Sequence, residues 1–182
     1  DIRYLEAALI TSDYDPKNIR MRRDTFGGCT YDLGVYCSSL ILRMTGKEPV
    51  KLQAVSTFSE EHIDLYTTVL MEYADGARAN IDCGMVLATE KNPALDRFQI
   101  HGTKGSIKSV EFGFNCPGEL SYRIQTFEGR DEIKTVSVPQ NYRLEVEQLG
   151  RCITDGKQPA VSEEFSMGNA RTIDRILEAI GY

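Results

Sequence analysis

Apolar and polar positions change period along this chain, and each change marks an element. The short apolar run from Tyr4 to Thr11, closed by Ser12-Asp13-Tyr14-Asp15-Pro16, predicts a strand followed by a turn. From Cys29 to Thr45 the period lengthens. Leu33, Tyr36, Cys37, Leu40, Ile41 and Met44 recur at three and four, the spacing of one helix face, and Gly46 supplies a stop. Alternation returns around Val50, Leu52 and Ala54. Three pairs of strand-like runs then flank turn sequences. Leu65–Tyr73 and Ala77–Met85 enclose Ala74-Asp75-Gly76, and Arg97–His101 and Ser106–Val110 enclose Gly102-Thr103-Lys104-Gly105. Leu120–Phe127 and Glu132–Val138 enclose Glu128-Gly129-Arg130-Asp131. Successive hairpins imply a mainly antiparallel sheet.

Two helical stripes end the chain. Tyr142, Val146, Leu149, Cys152 and Ile153 form one, stopped by Asp155-Gly156. Met167, Ala170, Ile173, Leu177 and Ile180 form the other, with Ser162 as its N-cap and Glu163 and Glu164 in the first turn. The expected fold is therefore α+β, a large sheet with helices packed on one face. The strands read as apolar on both sides, so the open face is expected to be available for dimerisation.

Within that frame one stretch carries candidate chemistry: Phe26-Gly27-Gly28-Cys29-Thr30-Tyr31-Asp32-Leu33-Gly34-Val35-Tyr36. Asp32 and Tyr36 stand four apart, which on an α-helix places an acid and a phenol on one face. A phenol steadied by an acid suits proton exchange with an alcohol. The same spacing also fits a helix start whose Tyr36 fills the core and whose Asp32 is solvated. Arg20, just upstream, is either a solvated turn residue or a group that reaches a substrate or a phosphate.

Composition narrows the function classes. The 182 residues carry a net charge of −6, and the basic run Lys17 to Arg23 is too short for a nucleic-acid footprint. Five cysteines without a CxxC pair, and only two histidines, indicate neither a disulfide framework nor a metal site. No apolar run nears the ~18 residues of a membrane span, and a cytoplasmic location is expected. GxGxxG, GxxxxGK[ST], GxSxG and HExxH are all missing, so this chain has no phosphate-cradling turn or nucleophile elbow of its own. Gly102-Thr103-Lys104-Gly105 lies between strands and is read as a hairpin turn. Cys29 sits at a helix start, where a thiol pKa can fall, but no His lies nearby in sequence. A start at Asp1, without Met and directly in strand-like sequence, leads to the expectation of a single domain cut from a longer polypeptide.

Taken in order, the first strand, the turn to Arg20, Gly27-Gly28…Asp32-Leu33-Gly34-Val35-Tyr36, Gly46-Lys47-Glu48-Pro49-Val50, Tyr73-Ala74-Asp75-Gly76-Ala77, His101-Gly102-Thr103-Lys104-Gly105-Ser106 and Val161-Ser162-Glu163-Glu164 resemble the C-terminal domain of the glucose–fructose oxidoreductase/inositol dehydrogenase (Gfo/Idh/MocA) family. The resemblance covers nearly the whole chain. It implies a sheet domain that binds substrate, an N-terminal Rossmann domain absent from this chain, and NAD or NADP held in the full-length protein rather than by this part alone. It also implies hydride transfer with a sugar, inositol or related polyol, and dimers formed through the sheet. Asp32 and Tyr36 match the acid and the terminal residue of the family's GGGxxxDxGx[HY] motif, which makes them the expected catalytic pair, with Arg20 and Gly28 expected to contact substrate. The family's catalytic Lys, from an EKP-like motif, would come from the absent domain, and Glu90-Lys91-Asn92 is not its equivalent. Two departures stand out: Phe26 replaces the first glycine of the motif, and position 36 is Tyr, as in dihydrodiol and sugar dehydrogenases. The alternative is a non-catalytic dimerisation or sensor module of the same descent.

Overall fold

A computed structural model of the chain describes residues 1–12, 15–86 and 94–182. Eight strands form one sheet: β1 (Ile2–Thr11), β2 (Lys51–Phe58), β3 (Asp64–Glu72), β4 (Arg78–Gly84), β5 (Ala94–Gly102), β6 (Gly105–Glu111), β7 (Gly118–Thr126) and β8 (Asp131–Val138). Their spatial order is β2-β3-β4-β1-β5-β6-β7-β8. Three helices complete the fold: α1 (Val35–Thr45), α2 (Asn141–Asp155) and α3 (Glu163–Ile180).

The three sequence-marked hairpins are all present, as β3–β4, β5–β6 and β7–β8. Every strand pair is antiparallel except one. β1 lies in the centre and runs parallel to β4, because the chain leaves β1 through α1 and returns to the sheet by the β2–β3–β4 meander. A central position explains why β1 is nearly all apolar: Leu5, Ala7, Ala8, Leu9 and Ile10 are buried, although alternate residues face opposite sides.

On one face, Leu5, Ala7 and Leu9 of β1, Val69 and Met71 of β3, and Ile81 and Cys83 of β4 pack against Leu33, Cys37 and Ile41 and against Ile173, Ile176 and Leu177 of α3. Each fully buried Leu or Ile there contributes about 1.5–3 kcal/mol. α1 and α3 cover only the β1–β4 half of this face. Beyond β1 the same face continues through Phe98, Ile100, Ile107 and Ile124, which follow from the pairings Ala7↔Phe98, Leu5↔Ile100, Ile100↔Ile107 and Ile107↔Ile124. All four are only partly buried.

Two expectations change here. The far face of the sheet is mixed: Glu6 pairs with Arg97 at 2.5 Å and Asp82 accepts from Thr68 and Asn80, while Val55 and Leu70 stand exposed on the same face. β1 is buried on both sides, whereas β4 turns Arg78, Asn80 and Asp82 to the far face. The stripe of α2 also points away from the core. Val146, Leu149 and Ile153 are exposed, and no residue of α2 is buried. Glu90-Lys91-Asn92, Asp13 and Tyr14 lie outside the described residues.

Candidate functional site

The site is built on the segment between β1 and α1. Two short 3-10 turns, Ile19–Met21 and Arg23–Thr25, fold it back on itself. Asn18 Oδ1 accepts from the Arg20 amide at 3.0 Å, the Gly28 amide donates to the Arg20 carbonyl at 2.9 Å, and the Gly27 amide donates to the Arg22 carbonyl at 2.9 Å. A Cβ on Gly27 would lie 2.3 Å from the Arg20 carbonyl oxygen. Gly28 adopts φ +118°, and a Cβ there would lie 1.8 Å from Asp64 Oδ1. The glycine pair therefore lets two stretches of backbone and a buried carboxylate meet. That meeting brings Arg20 to the start of the helix.

Asp64, the first residue of β3, is fully buried beneath the pair. Its Oδ2 accepts from the Thr30 amide at 2.8 Å, with the Cys29 thiol at 3.2 Å and Thr67 Oγ1 at 3.3 Å. A carboxylate at the positive end of a helix, bonded to a free amide, is the role an N-cap plays, here filled from 34 residues away. Burial pushes the Cys29 thiol up, opposite to the shift a helix start alone suggests, so Cys29 is an inert packing residue.

The helix does not open as an α-helix. Thr30–Gly34 form a π turn, in which the Val35 amide reaches the Thr30 carbonyl, and regular α1 follows. The wider turn lies against β4, where a Cβ on Gly34 would be 3.1 Å from Cys83 Sγ. π turns of this kind recur at functional sites. Asp32 is in the π turn and Tyr36 in the first turn of α1. Asp32 engages Arg20, with Nε at 2.7 Å from Oδ2, and acts on Tyr36 only through space.

The Tyr36 phenol is 40% exposed at the border between the helix-covered and open halves of the sheet face. Its ring lies 6.4 Å from that of Phe114, which continues through Phe112 to Phe98 at centroid distances of 5.0 and 4.9 Å. Burial raises the phenol's pKa above its ordinary value, the Tyr142 and Asp32 side chains raise it further, and the Arg20 guanidinium opposes them. On the other side of the Arg20–Asp32 pair lies a cavity of about 200 Å³, lined by Ile19, Arg20, Thr25, Phe26, Gly27, Gly28, Tyr31 and Asp32.

Arg20, Gly28 and Asp32 thus share one cavity, and Tyr36 stands just outside it, joined electrostatically. Sequence reading missed Asp64, whose signal is a lone acid between Ile63 and Leu65 in an apolar strand. It also missed Tyr182. That phenol donates to the Gly27 carbonyl at 2.6 Å, and its ring lies 3.8 Å under the Arg23 guanidinium and edge-on to Tyr31. Among the described residues no cluster of three His, Cys, Asp or Glu side chains fits a metal ion. No described helix is long and apolar enough to cross a membrane.

The chain is similar to known proteins in sequence and in fold. The chain is 27% identical to the uncharacterized oxidoreductase ORF334 of Rhizobium meliloti, over 97% of this chain and 53% of that protein. It is 28% identical to the D-xylose 1-dehydrogenase (NADP(+)) 2 of Haloferax volcanii, over 89% of this chain and 48% of the relative. The chain thus spans about half the length of these curated relatives. Among solved structures, KijD10, a 3-ketoreductase from Actinomadura kijaniata in complex with NADP and TDP-benzene, superposes with a TM-score of 0.84 at 17% identity. That match covers 99% of this chain and 54% of KijD10, a likeness of fold. The aldose-aldose oxidoreductase of Caulobacter crescentus gives 0.79 at 21% identity, over 98% and 53% of the two chains. Residues 1–108 match the family described as the GFO/IDH/MocA C-terminal domain, and the chain belongs to that family.

Proposed function

We propose that this chain forms the substrate-binding and acid/base half of an NAD(P)-dependent oxidoreductase acting on a secondary alcohol of a sugar or related polyol. The observation that carries the reading is the half-exposed Tyr36 phenol beside the Arg20–Asp32 ion pair, on a helix that opens with a π turn. The relatives support it by their chemistry: one is a D-xylose dehydrogenase using NADP(+), and others are trans-1,2-dihydrobenzene-1,2-diol dehydrogenases.

Among the described residues, neither glycine-bearing turn fits a dinucleotide's phosphates. Asp64 Oδ1 fills the space a glycine cradle would offer, and a carboxylate there repels an anion. Gly102-Thr103-Lys104-Gly105 is the β5–β6 hairpin turn, without a following helix N-terminus. The cofactor's phosphates therefore belong to a separate domain of the complete protein, from which the nicotinamide would exchange hydride with the substrate carbinol carbon. Tyr36 exchanges a proton with the substrate hydroxyl at its phenolic oxygen. With its pKa raised, the phenol stays protonated at neutral pH, which suits it to donate a proton in the reducing direction. Oxidation requires a cation near Tyr36 beyond Arg20, and a lysine from the other half would meet that need. Asp32, held by Arg20, accepts a hydrogen bond from a neighbouring substrate hydroxyl.

The test is turnover of the protein expressed from its complete reading frame, assayed with NADP+ against D-xylose and vicinal diols. Tyr36→Phe should lower kcat by about 10²-fold or more with the fold intact by circular dichroism. A Tyr36→Phe enzyme that turns over within a few-fold of the parent removes the phenol from the chemistry.

A further inference from the structure

The Asp96 carboxyl is set among apolar residues with only one of its oxygens bonded. Asp96 lies on β5 opposite Leu9 of β1, so it faces the helix side of the sheet, two residues from Phe98. Its Oδ2 accepts from the Phe114 amide at 2.9 Å, whereas Oδ1 is buried with no hydrogen-bond partner among the described residues. A buried oxygen without a partner is a cost that packing does not offset, and it needs an explanation. The bond to Phe114 holds the β6–β7 connection, residues 112–117, against β5: a Cβ on Gly113 would lie 3.3 Å from Asp96 Oδ2. α2 holds the same connection at its tip. Asn115, at φ 62°, donates from Nδ2 to Tyr142 Oη at 3.1 Å, and Asn141 Nδ2 donates to Asn115 Oδ1 at 3.4 Å. Between these two holds stands Phe114, with its ring 6.4 Å from that of Tyr36.

We infer that Asp96 is a positioning residue for the acid/base chemistry: by fixing the Phe114 amide it sets the aromatic wall against which Tyr36 stands. The inference rests on the dehydrogenase reading above for what Tyr36 does. The charged and titratable groups that act on the phenol are Asp32 and Arg20 from the segment before α1, and Tyr142 and Glu145 from α2. Asp96 reaches it through Phe114. Burial is the largest influence on that phenol, so loss of the wall should admit water and bring its pKa down toward the ordinary value.

The test follows the tyrosine Cζ carbons of this chain by NMR from about pH 8 to 11, with Tyr36 assigned by its absence in Tyr36→Phe. The melting temperature of each variant is recorded alongside. Asp96→Ala and Phe114→Ala should both titrate lower than the parent at Tyr36. Asp96→Asn keeps an acceptor for the Phe114 amide without a carboxyl, and should titrate as the parent does. In the protein from the complete reading frame, Asp96→Ala should also lower kcat about tenfold. A lower melting temperature with an unchanged Tyr36 titration would reduce Asp96 to a structural role and overturn the inference. So would an Asp96→Asn chain that titrates like Asp96→Ala, or an Asp96→Ala enzyme with parental kcat. If Asp96→Ala does not fold, Phe114→Ala carries the test, and an unshifted phenol there overturns the inference too. Loss of turnover in Tyr36→Phe with no shift in Asp96→Ala would sink this inference alone. Retained turnover in Tyr36→Phe would sink the acid/base assignment and leave the shift in place.

Discussion

The carboxylate of Asp64 stands where a side chain on Gly28 would begin, so the two positions are coupled through 1.8 Å of missing space. Gly28→Ala meets both that contact and a φ of +118°, and should destabilise the chain by about 2–4 kcal/mol in urea unfolding. Asp64→Ala alone leaves the Thr30 amide without its buried acceptor and costs about 1–3 kcal/mol. If the clash is the main cause, the double variant will be less destabilised than the sum, by about 1 kcal/mol or more. Strict additivity would mean that the backbone angle alone explains Gly28. Here the limits of the sequence are plain. Gly28, Asp32 and Tyr36 announce themselves because a glycine pair and a four-residue spacing are local patterns. Asp64 does not, because its partners Gly28 and Thr30 lie 36 and 34 residues upstream, and its one local mark, an acid between Ile63 and Leu65, does not say what the carboxyl meets.

At the scale of elements, turn chemistry and apolar period carried the reading, and three-dimensional neighbours decided what they missed. Asp75-Gly76, Gly102–Gly105 and Glu128-Gly129 named their hairpins because turn residues restrict the backbone directly. Ser162 likewise caps α3, its Oγ accepting from the Phe165 amide at 3.1 Å. The π turn at Thr30–Gly34 left no such mark; it lies where Gly34 comes close to Cys83 on β4, a neighbour far away in sequence. Gly34→Val would push a branched side chain into that contact and should cost about 1–3 kcal/mol in denaturant unfolding. Combining it with Cys83→Ala, which removes the sulfur, should restore part of the loss. If Cys83→Ala restores nothing, the π turn owes its place to something other than this contact. The exposed stripe of α2 was equally unforeseen: period shows which residues share a face, and only the assembled fold shows that no described element packs on that face.

For the molecule as a whole, charge is spread over surface pairs rather than gathered in the site. The Glu48 carboxylate is held below its ordinary pKa by Arg171, Asp75 by Lys47, Glu72 by Lys51 and Asp131 by Arg123. In each, the folded chain binds protons less readily than the unfolded one. Their stabilisation is therefore fully present above the ordinary carboxylate range near pH 4, and is lost as pH falls below it through the folded values. Asp96 runs the other way: half-buried and raised by desolvation, it favours the protonated form in the folded state and offsets part of the loss. Paired acids outnumber it, so the melting temperature should be flat from about pH 7 to 5 and fall between about pH 4 and 3. Because the pairs are exposed, each is weak and screened. The fall should then be visibly shallower in about 1 M salt, where the Debye length shrinks to roughly 3 Å. An acid transition unchanged by salt would mean that these exposed pairs are not its cause.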